Sequence, residues 1–451
     1  MCGATLKGRT TEVQDLEVKN SRASRDESEA KAKAKPDSFI PGRRRKMFKV
    51  TVLGGGGAVG SIATKTLASS SVFSDIAVAD INMSAAKKVV KEAQGARLTA
   101  VELDAESPES IKRAIAGSAV VLNCVGPFYK YGPIILKAVI GAGINYVDVC
   151  DDFDATEALL AMDEKAKKAG VSALIGMGSS PGVANVLVRF CADSLLDQAE
   201  SVDIYHAHGG EKLEGAAVVK HRIHSMKMGI PVFLDGMFTT VNLFEESGRA
   251  LEEEAEFENV GTYRVYAYPH PETITLPHYL KGVKRVTNLG LVLPPAYAEL
   301  IKGMVRLGVT DEEPIEVQGQ KVIPLEFAVA FILAQRKRLM KEAGITGPMG
   351  CLKIVVKGSK DGGKNTYIFS ISSTGQGMGE GTGIPAAIGA IIMATGKIKE
   401  KGVLPPEACV NPMDLLELAK TKVKAGGGRG FPITIEHIDK DGKSQTMNLF
   451  G

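Results

Sequence analysis

The stretch Lys49–Ser70, KVTVLGGGGAVGSIATKTLASS, sets four consecutive glycines between a β-type apolar run and a segment of helical character. Within it the spacing GxGxxG falls on Gly55, Gly57 and Gly60. In a strand–turn–helix unit, Gly55 permits the tight turn, Gly57 lets the backbone approach a pyrophosphate, and Gly60 lets helix pack on strand. The pyrophosphate would rest on free N–H groups of Ala58 and Val59, at the positive end of the helix. Taken alone, three glycines at this spacing are weak evidence, so the surrounding pattern has to decide.

That pattern alternates. Residues 48–53 read as a strand, 61–69 as a helix, 76–79 as a strand and 84–94 as a helix; strand 98–103, helix 108–115 and the apolar run 119–125 follow. Such alternation predicts a parallel sheet with helices on both faces, a doubly wound α/β domain. The second strand ends in AVADIN and places Asp80 twenty residues after Gly60. There a carboxylate accepts the two ribose hydroxyls of an adenosine. No lysine or arginine follows until Lys87, so nothing receives a 2′-phosphate. NAD is therefore expected rather than NADP.

Farther on, the strand ending at Cys124 and Val125 meets Gly126-Pro127, a break at the carboxyl edge where open α/β sheets bind ligands. Gly132-Pro133 is expected to open the next helix. The strand over 145–150 then delivers Asp148, Asp151 and Asp152 at or beyond its carboxyl end, a candidate acid/base or ammonium-holding group. Asp152 or Asp154 could instead cap a helix over 155–169. After ALIGMG, the run Ser179-Ser180-Pro181-Gly182 opens another helix and offers a second polar shelf across the cleft from the glycine loop.

Composition narrows the partners. The chain has 451 residues, 44% of them hydrophobic, enough for two or three domains with real cores. A formal net charge of +3 gives no field that argues for nucleic acid or an anionic membrane. No apolar run reaches the ~20 residues that a spanning helix needs, and no signal-type segment is seen, so a cytoplasmic location is expected. The six cysteines are scattered, with no spacing that marks a metal site, and read as reduced thiols; no metal is expected. Residues 1–46 are polar and charged and read as a disordered leader, with Met47 beginning the folded pattern.

The segments VLGGGGAVG, NCVGPFYKYGPIILKAVIGAGINYVDVCDD and GMGSSPGVAN resemble the saccharopine dehydrogenase family. Downstream, ETITLPHYLKGVKRVTNLGL and GTGIPAAIGAIIMATGKIKEKGVLPPEACVNP resemble the same family, so the likeness runs from about Met47 to about Lys420. It implies a Rossmann domain (47–182), an α+β substrate domain with a mainly antiparallel sheet (183–375), and a C-terminal helical segment (376–425) returning to the Rossmann domain, with 426–451 as a tail. The residues agree. CLKIVVKGSKDGGKNTYIFSIS reads as a hairpin, 201–208 as a strand, and GTGIPAAIGAIIMATG as a helix started by Pro385 and ended by Gly396.

The resemblance also implies hydride transfer between a nicotinamide and a carbon bearing nitrogen, on a small amino-acid or amine substrate, in a homodimer. Backbone at Gly126-Pro127 and at Ser179 to Pro181 would wall the nicotinamide. Asp151 or Asp152 would act as base or ammonium holder. Most of the seven histidines gather in YHAHGG (His206, His208) and VVKHRIHSMK (His221, Arg222, His224); His270 and His278 flank PETITLP. Arg222 suits a substrate carboxylate and the histidines titrate near neutral pH. Read as a strand, the second cluster would send His221 and Arg222 to opposite faces, and a solvated strand face is the alternative. The segment 206–236 departs from the family's loop for lysine or saccharopine, which leaves the substrate open. Lysine 6-dehydrogenase-like oxidation leads, followed by condensation of an amino acid with an oxo acid, and then by binding of the dinucleotide without turnover.

Overall fold

Continuous apolar runs with no polar face demand burial on both sides, and of the first six strands of the chain all but the edge strand over residues 97–102 largely obtain it. In the computed structural model, which describes residues 48–211, 214–425 and 433–447, these strands are β1 (Phe48–Leu53), β2 (Phe73–Asp80), β3 (Arg97–Glu102), β4 (Val120–Asn123), β5 (Asn145–Asp148) and β6 (Ser172–Leu174). They form a parallel sheet in the order β6-β5-β4-β1-β2-β3, the doubly wound arrangement. The strand order reverses between β1 and β4, so the glycine loop and the segment after Asn123 lie side by side at the carboxyl edge.

One more strand joins this sheet from far along the chain. Gly402–Leu404 pairs in parallel with β6, Gly402 opposite Ser172, and the Ser172 hydroxyl donates to the Glu400 carbonyl at 2.6 Å. The helix Met378–Ala394 precedes it and lies against Ala58–Ala68, the helix that follows the glycine loop. Their backbones nearly touch: a Cβ on Gly383 would come 2.7 Å from the Val59 carbonyl oxygen. The helix runs through Pro385 rather than starting there, because Gly377 and Glu380 cap it a full turn and more earlier.

The second sheet is built around β7 (Gln198–Gly209), which pairs in parallel with Arg285–Leu293 and antiparallel with Met349–Lys360. Every other pairing in it is antiparallel. The anticipated hairpin is Met349–Lys360 with Gly363–Thr374. Beyond it, Ile433–Ile438 and Ser444–Met447 extend the sheet, so part of the expected tail is structural. Buried residues of both sheets, among them Val50, Leu122, Val202 and Ile354, and of the helices Val183–Phe190 and Met378–Ala394 form one continuous core. Among the described residues, no helix is long and apolar enough to cross a membrane. The expected leader lies outside the described residues.

Several local expectations shift. The helix after β4 begins at Phe128, capped by Pro127, and carries Pro133 inside it. The helix expected over 155–169 is two, Phe153–Leu160 and Asp163–Lys168. The largest change concerns residues 216–227, a helix rather than a strand. Its inward residues Val219, Arg222, Ile223 and Met226 recur every three or four positions, and that period outweighs the β-branched pair Val218-Val219.

Candidate functional site

At the end of β1 the chain turns at Gly54, whose φ of 71° is open to glycine, so the tight turn falls one residue earlier than the motif predicts. Gly60 packs into that turn: a Cβ there would lie 2.2 Å from the Gly54 carbonyl oxygen. The helix then starts with Gly57 as cap and no side-chain partner, its first internal bond running from the Ser61 N–H to the Gly57 carbonyl at 2.9 Å. The N–H groups of Ala58, Val59 and Gly60 thus remain for an anion. Asp80 stands beside them. Its Oδ2 accepts the Gly56 N–H at 2.9 Å and its Oδ1 the Asn82 N–H at 2.8 Å, which binds the end of β2 to the glycine loop. Next to Gly54 run Cys124 and Val125, half-buried, and then Gly126, exposed, and Pro127. An uncapped helix end, a loop too crowded for side chains and a carboxylate at the second strand fit a dinucleotide.

Across the cleft, Ser179 and Ser180 are half-buried, whereas Pro181 is buried beside Gly176. The Ser180 hydroxyl is spent on Glu272. Of this shelf, Ser179 is the residue placed to line the cleft.

Between the two lies a carboxylate–imidazole pair. Asp152, 2% exposed, directs Oδ1 at His221 Nδ1 at 2.6 Å while its Oδ2 accepts the Tyr129 N–H at 3.1 Å, at the start of the helix from Phe128. Asp152 therefore stands at the N-cap position of the expected helix, Phe153–Leu160, without bonding it through its side chain; its carboxylate instead caps the helix from Phe128 with one oxygen and holds an imidazole with the other. Asp151 Oδ2 lies 3.6 Å from the second ring nitrogen, Nε2. Burial alone would push the His221 pKa down, but the charge of Asp151 and the hydrogen bond and charge of Asp152 outweigh it and raise it to about 9. Burial likewise works to raise Asp152, yet the bond to His221 leaves its carboxyl below the usual range. At neutral pH the pair is an imidazolium between two carboxylates. One turn on, His224 Nε2 meets Asp154 Oδ2 at 3.0 Å and stacks on Tyr129 with ring centroids 3.9 Å apart.

Arg222 turns elsewhere. It is buried in an ion pair with Glu214, whose Oε2 also takes the Tyr297 hydroxyl at 2.6 Å and lies 3.0 Å from Arg336 Nε. Two guanidinium groups share that carboxylate, so Arg222 is held as part of the wall rather than left free. Asp148, fully buried, accepts the N–H groups of Cys150 and Gly176 at 3.1 and 2.7 Å; burial raises its pKa to about 6. It ties two loops together beneath the cleft.

A second cluster escaped the sequence in part. His206 and His270, both buried, stand with ring centroids 4.9 Å apart and flank Tyr268, and Glu272, fully buried, accepts from Ser180. Glu272 sat unremarked inside PETITLP because, among threonines and apolar residues, a lone acid at a helix start gives no local signal. His208 is half-buried, its pKa lowered to about 4 chiefly by loss of solvent, and His278 is exposed.

Residues 50–174 match the model of the saccharopine dehydrogenase NADP binding domain, and 178–423 that of the saccharopine dehydrogenase C-terminal domain. A carboxyaminopropylagmatine dehydrogenase of Synechocystis sp. is 25% identical over 377 residues, covering 79% of this chain and 92% of that one. A carboxynorspermidine synthase of Vibrio cholerae is 23% identical over 415 residues, covering 82% and 94%. The apo saccharopine dehydrogenase (L-Glu forming) of Saccharomyces cerevisiae has the same fold, with a TM-score of 0.61 at 15% identity over 89% of this chain and all of that one.

Proposed function

Because the chain belongs to the saccharopine dehydrogenase family and is an NAD(P)-dependent oxidoreductase, we propose that it makes or breaks the C–N bond of a secondary amine joining an amino acid to a polyamine-type amine. The names of the two relatives given above, each matched over about four fifths of the chain, support a carboxylated polyamine over lysine. The observation that carries the chemistry is the His221 imidazolium held between Asp151 and Asp152 at the carboxyl edge.

Joining an amine to a carbonyl passes through a carbinolamine that must lose water. His221 donates its Nε2 proton to the departing hydroxyl, and the iminium that remains is stabilised by the Asp151 carboxylate. A bound nicotinamide supplies the hydride that the iminium carbon accepts. Asp152 keeps the proton on the correct nitrogen by fixing the ring through Nδ1, and the Tyr129 N–H fixes Asp152 in turn. In the opposite direction the same imidazole takes the proton back.

Incubation with reduced cofactor, an amino-acid aldehyde and 1,3-diaminopropane is expected to give a secondary amine detectable by mass spectrometry. Oxidation of lysine alone, with no coupling of any carbonyl–amine pair, would overturn the assignment.

For the cofactor, Asp80 favours NAD over NADP because its carboxylate would face a 2′-phosphate. Exchange of Asp80 for serine with Ile81→Arg, at a side chain 75% exposed, is expected to move the NADP-to-NAD affinity ratio by about ten- to a hundredfold, ~1.4–2.7 kcal/mol. Fluorescence titration of the reduced cofactors measures it, and tighter binding of NADP by the unmodified protein would refute the preference.

A further inference from the structure

We propose that Glu272, His206 and His270, walled by the ring of Tyr268, form a subsite for a cationic nitrogen, the distal ammonium of the substrate. Glu272 is fully buried. Its Oε1 accepts from the Ser180 hydroxyl, but Oε2 is buried with no hydrogen-bond partner, and so is His270 Nδ1, 3.6 Å away. Orphaned buried polar atoms are uncommon, and two facing each other mark a place where something polar belongs.

The missing group is a cation. The one ion-pair partner of Glu272 among the described residues is His270; no lysine or arginine there lies within ion-pairing distance of its carboxylate. His206 is no counter-ion, since burial first and His270 second drive its pKa well below the usual value and keep the ring neutral. A buried carboxylate without compensation costs several kcal/mol, and a ligand cation removes that cost.

Shape agrees. One ligand-type atom from each of His206, His270 and Glu272 lies within 4.8 Å of the others. A single nitrogen can then sit about 2.8 Å from all three, the length of an N⁺–H hydrogen bond to a carboxylate or neutral imidazole. The Tyr268 ring, 5.5 Å from His206 and 5.1 Å from His270 between centroids, adds a π face to the wall. A divalent metal would draw the same atoms to about 2.0–2.2 Å, which makes it the competing occupant.

The subsite adjoins the residues already described. Ser180 follows Ser179 on the polar shelf, and the Tyr268 phenol is within electrostatic reach of both Asp151 and Arg222. A polyamine reacting at His221 would thus extend its far nitrogen to Glu272, and selection of a dication over a monoamine follows. This role rests on the reaction proposed above.

Calorimetric titration of the full chain, with oxidised cofactor present, tests it with 1,3-diaminopropane and n-propylamine as probes. The diamine is expected to bind the wild type, to lose about thirtyfold in affinity in Glu272→Gln, and to outbind propylamine in the wild type alone. Should Glu272→Gln melt early, His270→Phe carries the same expectation. Equal diamine binding by wild type and both variants, or none by the wild type, overturns the subsite. So does stoichiometric metal in the purified protein that disappears in Glu272→Gln. Glu272-dependent diamine binding in a protein that couples no amine would leave the subsite standing and remove the reaction instead.

Discussion

Asp152→Asn is expected to lower turnover by about a hundred- to a thousandfold while leaving cofactor affinity nearly unchanged. Asparagine keeps the shape and retains an oxygen for the Tyr129 N–H, but it withdraws the charge that, with Asp151, holds the His221 pKa at about 9. Burial then prevails and the pKa falls. In the coupling direction His221 must be protonated, so activity declines as pH rises through that value. The alkaline limb of kcat should therefore begin near pH 9 in the wild type and move to lower pH in Asp152→Asn. Asp151→Asn should shift it in the same sense and less steeply, because Asp151 stands 3.6 Å from the ring without a short hydrogen bond. Stopped-flow rates across pH 6–10 read both effects. Near-full turnover in both variants would remove the pair from the chemistry.

Gly60→Ala is expected to abolish cofactor binding at working concentrations, a loss of at least about a hundredfold, ~2.7 kcal/mol. The added Cβ would meet the Gly54 carbonyl oxygen at 2.2 Å. Neither partner can yield cheaply. The oxygen belongs to the turn and the Cβ to the first turn of the helix, so relief requires the loop to leave the helix. Overpacking of this kind also costs about 1–3 kcal/mol of stability, seen as a lower melting temperature. Fluorescence titration with NADH and a thermal scan measure the two losses, and unchanged affinity would deny the loop its role.

The first sheet and glycine loop were legible because their determinants are local: an apolar run, a glycine turn and an acid at the next strand end fall within about thirty residues. Asp151 and Asp152 were legible for the same reason, as residues just past a strand. The helix 216–227 was not. The β-branched pair Val218-Val219 imitates a strand, and the three-residue spacing of His221 and His224, which sends both toward the Asp152–Asp154 loop, means something only once that loop is in place. Glu214 and Glu272 were silent for a related reason. A single acid in sequence gives no hint that it will be buried, and their partners Arg336 and Ser180 lie 122 and 92 residues away. Arg222 was read as free to meet a ligand because Glu214, eight residues earlier, showed no sign of claiming it.

The strand Gly402–Leu404, which completes the first sheet beyond β6, sets a timetable for the nascent chain. Ser172 waits for Glu400, 228 residues later, before its hydroxyl finds a partner. At ribosomal speeds of about 5–20 residues per second, that interval lasts roughly 10–50 s. Throughout it the edge of the nucleotide-binding sheet has no neighbour, and the helix after the glycine loop lacks the cover that Met378–Ala394 brings. The N-terminal half therefore emerges first and is finished nearly last. Its vulnerable period is spent on the ribosome, where a chaperone that shields an open sheet edge would do the most good.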